Sequence, residues 1–395
     1  MKITSVDVFE CKFVKDKVVC VRVNTDEGIS GFGEVGLAYG TAHHAAVGIA
    51  RDYAGYIIGK DPMRIEQIWE SIFRNTFWGM GSGTVIAAGM AAIDIALWDI
   101  KGKALGVPVY ELLGGKTNET IRAYASQLQF DWGDVHRNIT KPEDYYEATK
   151  KAMAQGYTAV KVDPIGVTNA GIWARESNDP SWKMRGKMSA EMVATGYQRV
   201  AAMREAGGKD LDIIIELHSY TDAITAVQLG KALEPLNIYY YEEPVHPLNV
   251  ENMLEVHKNV NIPIASGERI YTRWGFREFL EKGAIQVIQP DVCNTGGISE
   301  TKKICDMANI YDASVQIHVC GGPISTAAAL QIETVIPNFL IHEVHEGAIK
   351  KEVCELGKYS IQPVNGVYTV PDRPGIGQEL SDKAMAEAVN VYTFK

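Results

Sequence analysis

Eight short apolar segments, separated by amphipathic helical patterns, constrain the fold of this 395-residue chain more than any other feature. They begin at residues 121, 157, 211, 237, 262, 284, 313 and 338. Strands that alternate with helices are typical of right-handed βα units, and eight such units close most readily into a barrel. The sequence therefore predicts an α/β fold with a (β/α)8-type, TIM-like barrel over residues 116–364. A doubly wound open sheet is the alternative, but the Gly-rich turn that it needs after the first strand is missing.

The first 115 residues have a different pattern. Three strand-like segments with turn residues at Asp26, Gly28 and Gly31 predict an antiparallel meander, and helical spacing follows from about residue 42 to 104. This pattern predicts a separate α+β domain over residues 1–115. The C-terminal tail, 365–395, leaves the βα rhythm, and we expect it to return and pack on this domain.

Composition restricts the class of protein. With 46% hydrophobic and 22% charged residues the chain has an ordinary soluble composition, and no apolar run approaches the roughly 18 residues of a membrane span. We therefore expect a cytoplasmic protein without a membrane partner. The six cysteines are scattered without a CxxC pair, which favours reduced thiols. A formal charge of −10 disfavours nucleic acid. An anionic small substrate stays possible, because a metal or a lysine can reverse the local charge.

Polar residues stand at the ends of the apolar segments. From the third segment to the eighth, the principal ones are separated by 26, 26, 23, 27 and 25 residues. One functional group per βα unit, always at the same end, is the pattern of a barrel active site, because all the strand ends converge on one mouth. The residues are Lys161, Asp163, Glu216, His218, Glu242, Glu268, Asp291, His318 and Glu343.

Three of these groups are glutamates on consecutive segments: Glu216, Glu242 and Glu268. Any one of these glutamates, taken alone, is more often a solvated residue at the end of a strand. Three unpaired carboxylates in one cavity would raise one another's pKa steeply, so that a shared cation is needed. All-oxygen ligation suits Mg²⁺, with Mn²⁺ as the competitor. The sequence thus predicts a divalent metal site.

The remaining strand-end residues suggest proton-transfer chemistry. Asp291 and His318 could form a dyad in which the carboxylate fixes the imidazole tautomer, although a purely structural His–Asp pair is the alternative. Lys161 lies between two valines and would be costly to bury unless it faced the same cavity. The spacing of two between Glu216 and His218 predicts that both lie on one face of a strand.

Two further features are open from pattern alone. Strand alternation aims Glu343 and His345 one way and His342 the other, without deciding which histidine contributes. The connection around residues 165–188 mixes Gly, Asn, Pro and Trp, and a connection of this length is usually functional or mobile. We expect it to be an active-site loop.

Taken together, the motifs over the whole chain resemble one family, the mandelate racemase subgroup of the enolase superfamily, and within it the acid sugar dehydratases of gluconate and galactonate type. In the first domain the resemblance rests on GFGEVG and AAIDIALWDIKGKALGVPVYELLGGK. In the barrel and the tail it rests on KVDP, IELH, EEPVHP, GERIYTRW, QPDVCNTGGISE, QIHVCGG, LIHE and VPDRPGIG.

The resemblance implies a function for each group. Glu216, Glu242 and Glu268 would bind Mg²⁺, the Asp291–His318 dyad would be the base, and Glu343 would close the site at the eighth strand. The α+β domain, joined by the tail, would cap the barrel mouth. Its loops near residues 14–18 and 75–83 would touch the distal end of the substrate. Relatives of this kind commonly form symmetric oligomers, so we expect a homo-oligomer.

Two departures from the family pattern bear on the reaction. Racemases of the subgroup carry a second lysine where this chain has Asp163, which disfavours a two-base racemase. The first metal ligand is Glu216 where many relatives have Asp, a change that retains charge and donor type. Because a two-base racemase is disfavoured by Asp163, the presence of His218 favours dehydration over racemisation.

The resulting hypothesis is a dehydratase that acts on a small anionic sugar acid. His318 would take the C2 proton, and Mg²⁺, Lys161 and a protonated Glu343 would stabilise the enediolate. His218 would protonate the departing 3-hydroxyl, which leads to a 2-keto-3-deoxy acid.

Other functions compete with this hypothesis. A cycloisomerase or epimerase could use the same enediolate, because one fold hosts several outcomes. A non-catalytic metal-binding relative is the distant alternative, and a hydrolase with a metal-bound water would favour His-rich ligation. The sequence does not name the sugar acid.

Overall fold

The computed structural model describes residues 1–13, 16–38 and 41–395. The strands are β1 Ile3–Phe13, β2 Asp16–Thr25, β3 Ser30–Val35, β4 Ile121–Ser126, β5 Ala159–Val162, β6 Asp212–Glu216, β7 Ile238–Glu242, β8 Ile264–Ser266, β9 Val287–Ile288, β10 Ser314–Val315, β11 His342–His345, β12 Val367–Tyr368 and β13 Asn390–Phe394.

The α-helices are α1 His43–Ile57, α2 Ile65–Asn75, α3 Thr84–Leu105, α4 Val109–Leu112, α5 Pro142–Ala154, α6 Ala190–Gly207, α7 Ala223–Leu233, α8 Val250–Asn259, α9 Thr272–Glu281, α10 Gly297–Ile310, α11 Pro323–Glu333, α12 Lys351–Cys354 and α13 Asp382–Ala386. Short 3-10 turns lie at Gly36–Ala38, Gly79–Gly81, Leu128–Phe130, Ala174–Glu176 and Glu234–Leu236.

The first layer is an antiparallel sheet in the order β13-β1-β2-β3, covered by α1, α2 and α3. The predicted meander is therefore confirmed. Alternate valines of β2 bury one face of the sheet against the helices. Helix α3 packs so closely on β3 that a Cβ at Gly33 would lie 1.8 Å from the Ala92 carbonyl oxygen. We call β1–β3, α1–α3 and β13 the N-terminal α+β unit.

The eight predicted strands form one parallel array in the order β10-β9-β8-β7-β6-β5-β4-β11. The array closes where Val315 of β10 pairs in parallel with Phe339, with Leu340 N donating to Val315 O at 2.8 Å. The barrel is therefore confirmed, and the doubly wound open sheet is excluded. All the carboxyl ends of the strands lie at one mouth.

The barrel interior is filled with side chains rather than open. Alternate strands direct a buried layer inward that is dominated by two tyrosines, Tyr124 and Tyr240. The lysine nitrogen of Lys161 lies 5.5 Å from the centre of the Tyr124 ring. The polar mouth therefore rests on an apolar and aromatic floor, which lowers the local dielectric and strengthens charge interactions above it.

The C-terminal tail reaches both layers. Strand β12 pairs antiparallel with the first residues of β4, and β13 pairs antiparallel with β1 in a register that sets Val6 opposite Phe394. Between them, Val109 N donates to Gly375 O at 2.9 Å. The tail is therefore a structural connection between the barrel and the N-terminal α+β unit.

Two compositional expectations can be compared with the structure. The six cysteines are free thiols, as the scattered pattern predicts. Among the described helices, none has the length together with the apolar character that crossing a membrane requires.

Candidate metal and catalytic site

Three glutamates meet at the mouth of the barrel. Glu216 and Glu242 end β6 and β7 as paired neighbours in the sheet register, and Glu268 follows β8 by two residues. One carboxylate oxygen from each lies within 4.8 Å of the others. Adjacent strands in parallel register deliver their terminal side chains to one place, so the predicted convergence of the three carboxylates is confirmed.

Lys161 is buried among these carboxylates with 1% of its surface exposed. Its Nζ lies 2.7 Å from Glu242 Oε1, 3.2 Å from Glu216 Oε2 and 2.9 Å from Glu343 Oε1. Burial opposes the charged form, but the three carboxylates raise the pKa of Lys161 well above its ordinary value. The lysine is therefore a fixed positive charge between the glutamates, as the cost of burying it predicts.

A divalent cation fits this cluster. Glu242 Oε2 is buried, and no hydrogen-bond donor from the described part of the chain reaches it. Burial and the neighbouring Glu216 raise the pKa of Glu242 well above its ordinary value, a sign of repulsion between the two carboxylates. One lysine does not balance this negative charge. Oxygen donors at such spacing are those that Mg²⁺ or Mn²⁺ prefers.

Glu343 differs from the expected protonated acid. Burial alone would raise its pKa, but Lys161 and His318 outweigh burial and lower it to about 2. Ser126 Oγ donates to its Oε1 at 2.7 Å, and Val319 N donates to its Oε2 at 3.1 Å. Glu343 is therefore an ionised hydrogen-bond acceptor in this structure. The adjacent lysine and these donors stabilise the charged form, so the contacts do not support the expected proton, and protonation of Glu343 during the reaction stays a prediction.

The first histidine pair lies on the β8 side of the triad. His318 Nδ1 is 2.8 Å from Asp291 Oδ2, and Nε2 is 3.1 Å from Glu268 Oε2. Burial disfavours the charged imidazole, but Glu268 and Asp291 more than compensate and raise the pKa of His318 to about 10. The predicted dyad forms, and the second ring nitrogen of His318, Nε2, is directed at the metal-ligand candidate Glu268.

A second histidine pair lies on the opposite side of the triad. His218 Nδ1 is 2.9 Å from Asp163 Oδ2, and its backbone N–H donates to Glu216 Oε1 at 2.8 Å. The prediction that strand alternation places His218 on the same face as Glu216 was wrong, because β6 ends at Glu216 and His218 has φ of +49°. A left-handed turn, not strand alternation, directs this imidazole into the mouth.

The connection 165–188 lies beside this second pair. The Trp173 ring meets His218 edge-on with ring centroids 5.8 Å apart, and the Arg175 guanidinium lies over Tyr220 at 4.1 Å. Trp182 Nε1 anchors the connection by donating to Ile165 O at 2.9 Å. The prediction of a loop at the active site therefore agrees with its contacts, and Trp173 forms part of the wall around His218.

Strand β11 separates its two histidines as alternation predicts. His342 is fully buried on the outer face, where Nδ1 lies 2.6 Å from Glu333 Oε2 of α11. His345 shares a face with Glu343, and its Nδ1 accepts from Gly347 N at 3.1 Å. His342 is therefore a packing residue of the barrel wall, a distinction that required the position of α11.

Reasoning from sequence missed two partners in the site. Asp163 was placed among the strand-end residues and recognised as a replaced lysine, but its pairing with His218 was not predicted. Arg269 also lies half-buried at the mouth, where it pairs with both Glu243 and the metal-ligand candidate Glu268. No pattern in the sequence distinguishes this arginine from a surface charge.

The two loops expected to touch the substrate are only partly described. Residues 14 and 15 of the first lie outside the described residues. In the second, 75–83, Phe77 and Trp78 expose 79% and 72% of their surfaces. Contact of these loops with a substrate stays a prediction.

Three carboxylates grouped for a cation, with a His–Asp pair on each side, are the arrangement of a barrel enzyme with a divalent-metal site. Comparison with known families agrees with this class. Residues 9–114 match the mandelate racemase/muconate lactonizing enzyme N-terminal domain, and residues 144–384 match the enolase C-terminal domain-like family. The chain belongs to this family within the enolase superfamily, whose members use a divalent metal.

Individual relatives cover the whole chain. A D-galactonate dehydratase of Variovorax paradoxus is 32% identical over 98% of this chain and 94% of its own. A crystal structure of a member of the enolase superfamily from Salmonella Typhimurium is 53% identical, covers 100% of both chains and has a TM-score of 0.96. A putative dehydratase from Salmonella enterica is 55% identical over the same coverage, with a TM-score of 0.97. The predicted superfamily and subgroup are therefore confirmed, and the relatives support the predicted class of acid sugar dehydratase.

Proposed function

We propose that this protein is a Mg²⁺-dependent hydro-lyase that converts an aldonic acid into a 2-keto-3-deoxy acid. The observation that carries the proposal is the placement of two His–Asp pairs on opposite sides of one carboxylate triad. A reaction that removes a proton from C2 and a hydroxide from C3 needs one base and one acid near one carboxylate. The full-length relatives named D-galactonate dehydratase agree with this chemistry.

Glu216, Glu242 and Glu268 are the residues that would hold the metal. A bound Mg²⁺ would neutralise the substrate carboxylate and stabilise the negative charge that develops when the C2 proton leaves. Lys161 would contribute a second fixed charge to the same end of the substrate. The buried position of this lysine makes its charge effective, because few water molecules screen it.

His318 is the proposed base. Its Nδ1 is engaged by Asp291, and a cation held by the glutamates would offset the effect of Glu268 that raises the pKa of His318, so that Nε2 could take the C2 proton. Asp291 would fix the tautomer and stabilise the imidazolium that results. Glu343 and its donors Ser126 and Val319 would keep the neighbouring charge in a fixed position.

His218 is the proposed acid. Asp163 engages Nδ1, which leaves Nε2 to deliver a proton to the departing 3-hydroxyl. The C3–O bond breaks as the electron pair of the enediolate forms the C2–C3 double bond, and water leaves. The resulting enol takes a proton at C3 and becomes the 2-keto acid.

Two further predictions belong to this proposal. The N-terminal α+β unit, within residues 1–115 and joined by the tail 365–395, would cap the barrel 116–364 and close the site over the substrate. The protein would form a homo-oligomer, as the family resemblance implies, and would act in the cytoplasm. Gel filtration with light scattering would measure the assembly directly.

A library of sugar acids tests the function. Purified protein with Mg²⁺ would be incubated with aldonic acids that include D-galactonate and D-gluconate, and with aldaric acids, and 2-keto acid formation would be followed by semicarbazone absorbance. We expect at least one aldonic acid to give a 2-keto-3-deoxy product, identified by NMR. An isomeric lactone or an epimer without loss of water would contradict dehydration and favour the other enediolate chemistries.

A further inference from the structure

Two barrel helices begin without a side chain of their own to cap them. The N-cap residues of α10 and α11 are Gly296 and Gly322, whereas the preceding barrel helices α6 and α7 begin with Ser189 and Asp222, whose side chains accept N–H groups of the first turn. The first N–H groups of a helix need acceptors, so a helix without an N-cap side chain needs them from elsewhere in the structure. The two helices with glycine N-caps follow the strands of the Asp291–His318 dyad. Helix α9 also lacks an N-cap side-chain bond, but its acceptor comes from the barrel itself, since Arg273 N donates to Glu300 at 2.7 Å.

Buried carboxylates of the N-terminal α+β unit replace the missing caps. Glu34 of β3 accepts Gly322 N at 2.6 Å and Ser325 N at 3.1 Å, at the start of α11. Asp94 of α3 accepts Ser299 N at 2.9 Å and Ser299 Oγ at 2.6 Å, at the start of α10. In both helices the third residue donates to the foreign carboxylate, the same N–H that an N-cap side chain would normally accept.

The barrel loops are shaped to receive these carboxylates. A Cβ at Gly297 would lie 2.4 Å from Asp94 Oδ2, and a Cβ at Gly321 would lie 2.5 Å from Glu34 Oε1. At these distances a side chain would displace the carboxylates, so the two glycines leave the space that the carboxylates occupy. The glycines and the carboxylates therefore form two fitted joints between the N-terminal α+β unit and the barrel.

Each joint lies close to one member of the dyad. Asp291 precedes the N-cap of α10 by five residues, and its carbonyl accepts Thr295 N at 2.8 Å. His318 precedes the N-cap of α11 by four residues. A third contact supports the same loop, since Gly36 N donates to Cys293 O at 3.1 Å. The second pair differs, because the helix after His218 has its own cap, Asp222.

We propose that Glu34 and Asp94 are positioning residues for the base: by capping α11 and α10 from the N-terminal α+β unit, they fix the loops that carry His318 and Asp291. The acid pair His218–Asp163 is positioned by the barrel alone. This inference rests on the proposed function. Small displacements of a reacting group are costly, since about 1 Å can reduce a rate by roughly 10²-fold.

Isosteric substitutions test the inference. Glu34→Gln and Asp94→Asn retain volume but oppose an amide NH₂ to a backbone donor. The matched control is Asp99→Asn, because Asp99 is a buried carboxylate of α3 that accepts Phe32 N at 3.0 Å and Ile376 N at 2.9 Å. Every variant would be assayed with metal at a temperature where it is fully folded by circular dichroism.

Three quantities would be measured for each variant: the rate of C2 proton exchange in D₂O, the KM for the sugar acid and the affinity for Mg²⁺. We expect Glu34→Gln and Asp94→Asn to lower the exchange kcat by about 10- to 100-fold, with KM and metal affinity changed less than about twofold. The control should retain its exchange rate within about twofold even though its melting temperature falls. Equal rates in all four proteins, or losses in the control as large as in the two test variants, would overturn the inference.

A double variant keeps the test decisive if Glu34→Gln folds poorly. In Glu34→Ala/Gly322→Asp the cap is supplied by the helix itself, at a residue whose φ is −83° and whose Cβ lies near the space that Glu34 vacates. We expect this variant to exchange the C2 proton faster than Glu34→Ala alone. If the double variant folds but its exchange rate stays as low as that of Glu34→Ala, the proposed role of the cap is contradicted. If the wild type acts on no sugar acid, the proposed function fails instead, a result that the wild-type assay identifies separately.

Discussion

The imidazole of His218 and the carboxylate of Asp163 are joined by a 2.9 Å contact between Nδ1 and Oδ2, although 55 residues separate them in the sequence. The pair mirrors His318 and Asp291 on the other side of the triad, where the same two atoms are 2.8 Å apart. Each imidazole therefore has its Nδ1 engaged by an aspartate and its Nε2 on the side of the ring away from that aspartate. One carboxylate on each histidine allows the two rings to serve as separate acid and base.

Asp163→Asn should impair dehydration without stopping C2 exchange. An amide at this position no longer stabilises the His218 imidazolium, so that proton delivery to the 3-hydroxyl weakens. We expect product formation to fall by about 10²-fold or more, with exchange in D₂O changed only a few-fold. NMR of one reaction mixture measures both rates. A parallel loss of exchange and product would show that Asp163 supports the whole site rather than the acid.

His318→Asn should have the opposite profile. Without the imidazole no group is placed to remove the C2 proton, and exchange and product formation should both fall by about 10³-fold or more. His342→Asn is the matched control for losing a buried histidine, because His342 faces α11 rather than the mouth. Retention of C2 exchange in His318→Asn would mean that another group is the base.

Lys161→Met should make folding depend on metal. The substitution leaves the glutamates around position 161 without their buried cation, and breaking such a pair costs roughly 3–5 kcal/mol. We therefore expect a much lower melting temperature in metal-free protein and a larger rise on adding Mg²⁺ than in the wild type. Thermal unfolding with and without Mg²⁺ measures the difference. An equal rise in both proteins would contradict charge compensation by Lys161.

Removal of the metal should abolish turnover and leave the fold intact. Lys161 already offsets part of the negative charge, so the metal-free barrel should keep its secondary structure. Dialysis against EDTA should eliminate product formation, and Mg²⁺ or Mn²⁺ should restore it. Glu242→Gln should weaken Mg²⁺ binding in calorimetry, whereas full activity of metal-free protein would contradict the role of the triad.

Stability should decrease as the pH rises through neutrality, partly because of Asp94. Burial raises the pKa of this carboxyl from 3.8 to about 7, against the opposing effect of its bonds to Ser299. The folded state therefore holds the proton more tightly than the unfolded state, and stability present below about pH 4 is lost as the pH rises to about 7. The contribution is on the order of a few kcal/mol.

Urea unfolding of metal-free protein at pH 5 and pH 8 checks this dependence. The free energy of unfolding should differ less between the two values in Asp94→Asn than in the wild type, because the amide does not titrate. An identical difference in the two proteins would mean that Asp94 has the same pKa in the folded and unfolded states.

Much of the fold and of the triad could be predicted from the sequence. Apolar segments at a regular pitch determine the strands, and the convergence of parallel strand ends then brings Glu216, Glu242 and Glu268 together without further information. The position of Lys161 beside the carboxylates was predicted from the cost of burying an amine without a charged partner. These predictions depend on strand periodicity and on the common direction of the strands, which a sequence contains.

Other features depend on contacts that periodicity does not contain. His218 is directed by a residue with positive φ, so a pleat extrapolated from Glu216 could not place it. The charge state of Glu343 depends on the distance to Lys161. Glu34 meets α11 across 288 residues of sequence, and nothing at either end of that interval marks the pair. Local sequence patterns therefore predict the metal-ligand candidates better than they predict the residues that hold the site in position.

The pairing of β13 with β1 has a consequence for how the chain acquires its structure. The hydroxyl of Tyr392 donates to Glu10 at 3.0 Å, so the outer strand of the first sheet comes from residues that are synthesised after all the barrel strands. The barrel strands can associate earlier during synthesis, but this sheet cannot be completed until translation reaches residue 394. During that interval the free edge of β1 is open to pairing with other chains, which makes these C-terminal residues a safeguard against aggregation as the protein is made.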